Sequence, residues 1–389
     1  MSETPTARMD QKPCPRIWLL GGNGAVGRNL ALQFAGQTSN VIVVSRTSNR
    51  QLAALDYVAT RALDLSDREA QLDMHRGDRI INLTEATAPG LAEQAIRAGA
   101  MFIETSASPD YIRAQRAVAN ATVGKGLLVD CVGVAPGLTN LMADALFRQT
   151  ADIEKVEIGI EIGLGKHAGF SATAWTISSM GRSYRAKRNH RWVELVPGQL
   201  QARFRFGGDT NTRRAIGFPF ADQEILAWSP PDSVATILTY LAIDPPFATA
   251  IFGRAMRLGL GKFMARRSHS VARALLRLPE FGRAATRITV NAWTASDDNS
   301  VCLRLSTGDQ SAATAAVIAA VATQDMARLR NNGPVLSITD VLSLKEAIQS
   351  VAAIYPETDL RGGSDCDTYR PSQASEERCT PQIQMDAQL

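Results

Sequence analysis

The chain has little histidine and little cysteine, four and five residues respectively in 389. The cysteines, at positions 14, 131, 302, 366 and 379, show neither a CxxC pair nor any other metal-ligand spacing. That pattern argues against a zinc module or a disulfide scaffold, and no metal site is expected. Reduced thiols in a cytoplasmic chain are the simplest expectation. Long apolar runs are missing too. The most apolar stretch, Ala312 to Ala322, is about half the ~20 residues a membrane-spanning helix needs, and it reads as a buried helix. The segment Met1 to Pro15 is polar and has no apolar core of a secretory signal. Nor is there a base-stacking aromatic array or a nucleic-acid-binding motif, so nucleic acid is not an expected partner.

What is present is a globular composition, 45% hydrophobic and 21% charged, at a length that favours two domains. The net charge of +4 hides an asymmetry. From Glu357 onward seven acids face three arginines, which leaves +8 on the rest of the chain. An anionic ligand for the body follows naturally from that balance.

The richest stretch is Ile17-Trp-Leu-Leu-Gly-Gly-Asn-Gly-Ala-Val-Gly27. A short apolar run meets Gly22-x-Gly24-x-x-Gly27, and Val26, Leu30 and Phe34 then recur on one helical face. Strand, tight turn and helix in this order form a dinucleotide fingerprint. The first glycine permits the turn, the second admits a pyrophosphate, and the third lets helix and strand pack closely. Asn23, Ala25 and Val26 complete the loop, whose helix N-terminus offers free N–H groups to phosphate. A second strand, Val41 to Val44, ends at Ser45-Arg46-Thr47, where an NAD site would carry an acid for the ribose hydroxyl. A guanidinium and two hydroxyls suit a 2′-phosphate, so the expected cofactor is NADP(H), with NAD(H) the alternative.

Further strands are expected at Val58 to Leu65, Arg79 to Leu83, Met101 to Glu104 and Leu127 to Val132, alternating with helices. This is a Rossmann-type, doubly wound parallel sheet in an α/β domain. Asp64 and Leu65 would lie at the adenine edge, and Leu83, Thr84 and Thr105 beside the cofactor. Pro136 and Gly137, in the turn Gly133 to Gly137, would face the substrate.

Four stretches carry a family resemblance: Gly21 to Gly27; Ile80-Ile-Asn-Leu-Thr84; Ala98-Gly-Ala-Met-Phe-Ile-Glu-Thr-Ser106; and Gly133-Val-Ala-Pro-Gly-Leu-Thr-Asn140. Together they resemble the saccharopine dehydrogenase (saccharopine reductase-like) family over residues ~17–145. The resemblance implies an NADP-binding oxidoreductase whose second domain is built on a mainly antiparallel sheet. That sheet often serves dimerisation in the family, so a homodimer is implied. Two positions depart from the family pattern, Ala135 before Pro136-Gly137 and Glu85 after Thr84, and both fall near the expected nicotinamide pocket.

Beyond residue 145 the signals thin. Alternating Val and Ile between Lys155 and Leu164 mark a half-buried strand, and Thr286 to Ala295 with Ser300 to Ser306 read as a hairpin. Arg203 to Phe206 is a further short strand. An α+β second domain over 146–332 is expected, and the resemblance implies that 333–355 returns to complete the 17–145 domain. Residues 1–16 and the acidic 356–389 are expected to be disordered.

Lys166-His167 opens a segment of small residues and is the general acid/base candidate, because making or breaking an imine moves a proton at nitrogen. Ser171 and Thr173, near the following helix start, offer hydroxyls to a substrate. Glu104, at a strand end, is a third catalytic candidate. His75, His190 and His269 lie in charged surroundings and are expected at the surface. Phe218 to Gln223 reads as a packed turn from which Asp222 or Gln223 could reach the substrate. Between Gly253 and Arg287 nine Lys or Arg accompany one acid, interleaved with apolar residues. Either this is a solvated helical face, the plainer reading, or a basic amphipathic helix pair meeting anionic lipid or an acidic partner.

The sequence therefore points to an NADP(H)-dependent oxidoreductase acting on a small-molecule substrate. The leading expectation is hydride transfer to or from the C=N bond of an amino-acid-like substrate. An enoyl C=C reductase of acyl or polyketide chains, and a non-catalytic NADP-binding regulator, are the alternatives.

Overall fold

The computed structural model describes residues 15–35, 40–163, 169–228, 230–277, 285–295 and 300–363. The first domain begins with β1 (Ile17–Leu20), α1 (Ala25–Ala35), β2 (Val41–Ser45), α2 (Arg50–Ala53), β3 (Val58–Ala62) and β4 (Arg79–Asn82). It continues with α3 (Gly90–Ala98), β5 (Met101–Glu104), α4 (Pro109–Ala121), β6 (Leu127–Asp130) and α5 (Leu138–Gln149). β1 is apolar throughout, and β5 and β6 are apolar up to their closing Glu104 and Asp130, because helices cover both faces of a parallel sheet; all three strands are buried at every residue.

The second domain runs through β7 (Ile153–Gly163), α6 (Phe170–Ser179), β8 (Tyr184–Arg188), β9 (Arg191–Leu195), β10 (Gln201–Phe204) and β11 (Arg213–Gly217). Then come α7 (Ala221–Leu226), β12 (Thr236–Asp244), α8 (Pro246–Arg257), α9 (Leu260–Arg266), α10 (Ser268–Leu275), β13 (Thr286–Thr294) and β14 (Ser300–Thr307). The chain ends its described course with α11 (Gln310–Ala322), α12 (Met326–Leu329), β15 (Val335–Ser337), α13 (Ile338–Val341), α14 (Leu344–Ala352) and β16 (Asp359–Gly363).

The first sheet has the order β15-β6-β5-β4-β1-β2-β3 and is parallel at every pairing. The second is mixed and mostly antiparallel, with β10-β11-β12-β7-β13-β14-β16 as its main path. The two-domain α/β and α+β fold class is therefore as expected.

Several expectations need correction. The third strand stops at Ala62, short of Leu65. β12 and β7 pair in parallel, although only antiparallel candidates are legible. The chain returns to the first domain earlier than residue 333. α11 packs along α1 and α14, and its buried Ala, Val and Ile residues lie on every side of the helix. Arg79 holds the C-terminus of α11, donating to the carbonyls of Ala322 at 2.8 Å and Gln324 at 3.0 Å. A cation there offsets the negative end of the helix dipole. Disorder from residue 356 is overturned at Asp359–Gly363, which pairs antiparallel with β14 as an edge strand. Arg16, assigned to a disordered N-terminus, instead donates to buried Asp78 at 2.8 Å. Among the described residues of the basic 253–287 segment lie the end of α8, then α9 and α10, and its last member Arg287 is buried in β13.

One apolar core runs through both domains. Leu138, Leu141, Met142 and Leu146 of α5 join Leu19 and Ile103 of the first sheet to Ile158 and Val290 of the second.

Candidate functional site

Strand order reverses between β1 and β4, and in open α/β sheets ligands lie beyond the carboxyl ends of the strands at that point. The glycine turn occupies this position. A Cβ on Gly22 would meet Leu19 and Val43 at 2.9 Å, so the turn hugs the sheet. A Cβ on Gly27 would fall 2.3 Å from the Gly22 carbonyl oxygen, so only glycine lets α1 start this close to β1. Gly24 is different. Its Cβ would meet nothing nearer than the Gly21 oxygen at 3.7 Å, which leaves open space over the exposed start of α1. This is a cradle of the kind a pyrophosphate occupies.

Neighbouring residues frame the cradle. The Asn23 side-chain amide donates to the Thr47 carbonyl at 2.8 Å, tying the glycine turn to the loop after β2. Arg46 and Thr47 are exposed there and Ser45 is half-buried. Asp64 accepts from the Ser66 hydroxyl at 2.7 Å, and these bonds hold its carboxyl below the usual carboxylate range, with a contribution from the Arg46 charge. Leu65 is buried; Val26 and Leu83 are half-buried. Arg28, in the first turn of α1, donates to the Asn23 carbonyl at 3.1 Å and is a further cation at the cradle that its sequence position did not single out.

Across the switch point the ends of β4 and β5 form a polar cluster. Thr84 touches the glycine turn, since a Cβ on Gly21 would lie 3.0 Å from the Thr84 Cβ. The Thr105 hydroxyl donates to the Asn82 carbonyl at 2.7 Å. Glu104 is 1% exposed and accepts from the Asn82 amide and the Ser106 backbone N–H, each at 2.7 Å. Burial pushes its carboxyl up to about 8 in spite of those donors, with the nearby Glu85 charge adding to the rise. The Ser106 hydroxyl donates to Glu85 at 2.7 Å, and Glu85 itself is exposed. Tyr111 donates to the Thr87 carbonyl at 2.9 Å and accepts from the Asn82 amide at 3.0 Å; burial pushes its phenol up. Ser106 and Tyr111 were not candidates from sequence. Tyr111 joins the cluster because the first turn of α4 brings its hydroxyl to Asn82 and Thr87.

The second domain closes the far side. A Cβ on Gly169, before α6, would lie 3.6 Å from the Ala25 Cβ, so α6 begins beside the glycine turn. The Trp175 indole donates to the Ser108 hydroxyl at 3.1 Å, and its ring stands 5.5 Å from Phe220 and 6.0 Å from Phe218. The Thr173 hydroxyl donates to the Gly169 carbonyl at 3.1 Å, and Ser171 lies in the same first turn of α6. Pro136 and Gly137 are buried in the turn before α5, where Asn140 accepts from the Gly137 N–H at 3.0 Å.

Lys166 and His167 lie outside the described residues. His75, His190 and His269 are exposed. Asp222 and Gln223 are buried. Thr239 donates to Asp222 at 2.9 Å, and burial pushes that carboxyl up to about 6. Gln223 donates to the Phe218 carbonyl at 2.9 Å. Gln223 also donates to the Phe220 carbonyl at 3.2 Å and accepts from the Thr239 N–H at 3.0 Å, so the pair ties the turn to β12. No cluster of potential metal ligands occurs among the described residues.

No protein-family model matches the sequence, and no curated protein does. Solved structures with a similar course include an engineered D-amino acid dehydrogenase, 15% identical, covering 84% of this chain and 94% of that one at a TM-score of 0.42. A myo-inositol dehydrogenase from Corynebacterium glutamicum is 11% identical and covers 91% and 100% at 0.39. An oxidoreductase from Thermotoga maritima is 11% identical and covers 88% and 94% at 0.35. Likenesses this distant carry nothing about chemistry, so only the chain's own residues can.

Proposed function

We propose that the chain is an NADP(H)-dependent oxidoreductase that transfers hydride to or from the C=N bond of an amino-acid-like substrate, in the manner of the saccharopine dehydrogenase-like family. The observation that carries this reading is the glycine turn at the switch point, closed at Gly22 and Gly27 and open at Gly24. The pyrophosphate would lie over Gly24 and Ala25 against the free N–H groups of α1. Ser45, Arg46 and Thr47 would hold the 2′-phosphate, and Leu83, Thr84 and Thr105 would flank the nicotinamide. When bound, that cofactor supplies the hydride. The chain's part is to align the carbon that receives it, to exclude water with α6 and Trp175, and to move a proton.

Three groups are proposed for the proton. Glu104 holds one at neutral pH because its carboxyl is pushed up to about 8, and Lys166 and His167 are the others. A pH profile of kcat/KM separates them, since replacing the true donor removes its limb. If Glu104 serves, Glu104→Gln abolishes a limb near pH 8, and His167→Ala leaves it in place.

A second reading, reduction of an enoyl C=C bond, has a specific support. Trp175, Phe218 and Phe220 form an aromatic wall on the second-domain side. Arg213 and Arg287 of the second sheet are engaged with Glu161, Asp209 and Asp244 and offer no free clamp for a substrate carboxylate. NADPH oxidation with a panel of imines and a panel of enoyl thioesters decides between them. Turnover with imines alone supports the first, and turnover with enoyl thioesters alone supports the second. Tight NADPH binding without turnover on either panel would leave a non-catalytic NADP-binding protein.

A further inference from the structure

α8 is apolar on two opposite faces. Its inner face, with Ala248, Phe252 and Met256 buried, rests on β11 and β12. On the outer face Phe247, Ile251, Arg254 and Leu258 follow at intervals of four, three and four, which keeps them in one stripe of a 3.6-residue helix. Phe247 is 61%, Ile251 58% and Leu258 77% exposed. The chain then turns at Gly259, φ +76°, where a Cβ would meet nothing within 4 Å, and α9 adds Leu260 and Phe263, 48% and 56% exposed. Five large apolar side chains thus stand exposed among seventeen residues, on two consecutive helices joined by a turn.

The helix pair is firmly seated. A Cβ on Gly261 would lie 2.5 Å from the Met180 carbonyl oxygen, and one on Gly181 2.7 Å from the Ala265 Cβ. α9 is therefore locked against the end of α6. The charge pattern is equally one-sided. From Pro245 to Arg277 there are seven Lys or Arg and no Asp or Glu. Arg254, Arg257, Lys262, Arg266 and Arg267 are exposed among the apolar side chains, and the Arg267 guanidinium lies 4.8 Å above the Phe263 ring.

We infer that α8 and α9 form a docking surface for an anionic lipid membrane, with Leu258, Leu260 and Phe263 entering the acyl boundary and the cations meeting headgroup phosphates. A second copy of the chain would set one acid-free basic surface against another, which like-charge repulsion disfavours. A cationic surface serving soluble anions has no need of five protruding apolar side chains. Apolar protrusion combined with one-signed cationic charge is what interfacial helices use. No helix among the described residues is long and apolar enough to cross a membrane, so the contact is peripheral. The inference is independent of the redox reading, because the surface can bind lipid whatever the crevice does.

The test is co-sedimentation of the full chain with vesicles of phosphatidylcholine alone and of phosphatidylcholine with about one quarter phosphatidylglycerol, at low and at physiological salt. Binding is expected to the anionic vesicles and to weaken with salt. The double variant Leu258→Ser, Phe263→Ser should bind at least about tenfold more weakly. Arg254→Gln should cost roughly fivefold. NADPH affinity should be unchanged in each variant, which reports separately on the fold and on the crevice. Photolabelling by a bilayer-resident probe should mark 247–263 in the unaltered protein, so the inference stays testable if a variant misfolds. Absence of binding to anionic vesicles overturns it, as does labelling elsewhere. Binding that responds to Arg254→Gln but not to the apolar variant also overturns it and points to an acidic protein partner instead.

Discussion

At the scale of single residues, Glu104 makes the sharpest claim. A carboxyl at 1% exposure, pushed from 4.5 to about 8 mainly by burial, binds its proton more tightly in the folded chain than in the unfolded one. Its contribution to stability is therefore complete below about pH 4.5 and is lost as pH rises through about 8. The full swing is on the order of 5 kcal/mol. Denaturant unfolding of wild type and Glu104→Gln at about pH 5 and pH 8 should show wild type losing several kcal/mol relative to the variant. Parallel pH dependence of the two proteins would mean that Glu104 stays ionised in the fold. Its place at a strand end was legible in the sequence, because a carboxylate closing an apolar run is conspicuous. The partners Asn82, Ser106 and Tyr111 were not, since no local pattern reports which side chains meet across β4, β5 and α4.

At the scale of elements, the glycine turn offers a paired comparison. Gly27→Ala forces a Cβ to within 2.3 Å of the Gly22 backbone, so the turn must shift. The cost should be about 1–3 kcal/mol or more, read as a lower midpoint of thermal or denaturant unfolding. Gly24→Ala meets nothing within 3.7 Å and should unfold like wild type. Its methyl group would nevertheless stand in the space assigned to the pyrophosphate, so NADPH affinity should fall about tenfold or more. If Gly24→Ala keeps full affinity, the cradle is not where the cofactor lies.

The buried ion pairs of the second sheet belong to the same scale. Arg287, 3% exposed, meets Glu161 at 2.6 Å and Asp209 at 2.7 Å. Arg287→Met leaves Glu161 to Arg213 alone and should cost about 3–5 kcal/mol by denaturant unfolding. A cost below 1 kcal/mol would show that Arg213 suffices. In sequence Arg287 both closes the basic 253–287 run and lies in the strand expected from Thr286 to Ala295. Only the strand that carries it takes it inside.

β12 shows a different limit of legibility. Thr236 to Asp244 is buried at all nine positions. A strand covered on both faces has no alternation to read, and a short apolar run does not distinguish strand from helix. β8 and β9 escaped notice for the opposite reason, because their arginines and lysine suggest a solvated segment. Six of the seven strands of the first sheet were legible since their runs stop near a Gly, Ser, Thr or acidic residue, whereas β15, three residues long, was not.

At the scale of the whole molecule, α5 and α11 explain why the two domains act on one crevice. α5 carries apolar side chains into the core shared by both sheets. α11 leaves the second sheet at β14 and returns to lie along α1. Its alanines make it look like a generic buried helix in sequence, and nothing local says which domain buries it. The crevice is spanned directly as well, by Trp175 with Ser108 and by Arg113 with Glu224 at 3.1 Å. The glycine turn and α6 are thus held opposite one another.

The proposed NADP(H) site at the glycine turn, with Arg46 selecting the phosphorylated cofactor, rests on that arrangement. Dissociation constants for NADPH and NADH, measured on wild type and on Arg46→Ala, test it most directly. Wild type should prefer NADPH, and Arg46→Ala should weaken NADPH roughly tenfold while leaving NADH almost unchanged, as expected for a hydrogen bond to a charged group at an exposed site. Equal affinity of wild type for the two cofactors, or equal weakening of both in the variant, would contradict the account.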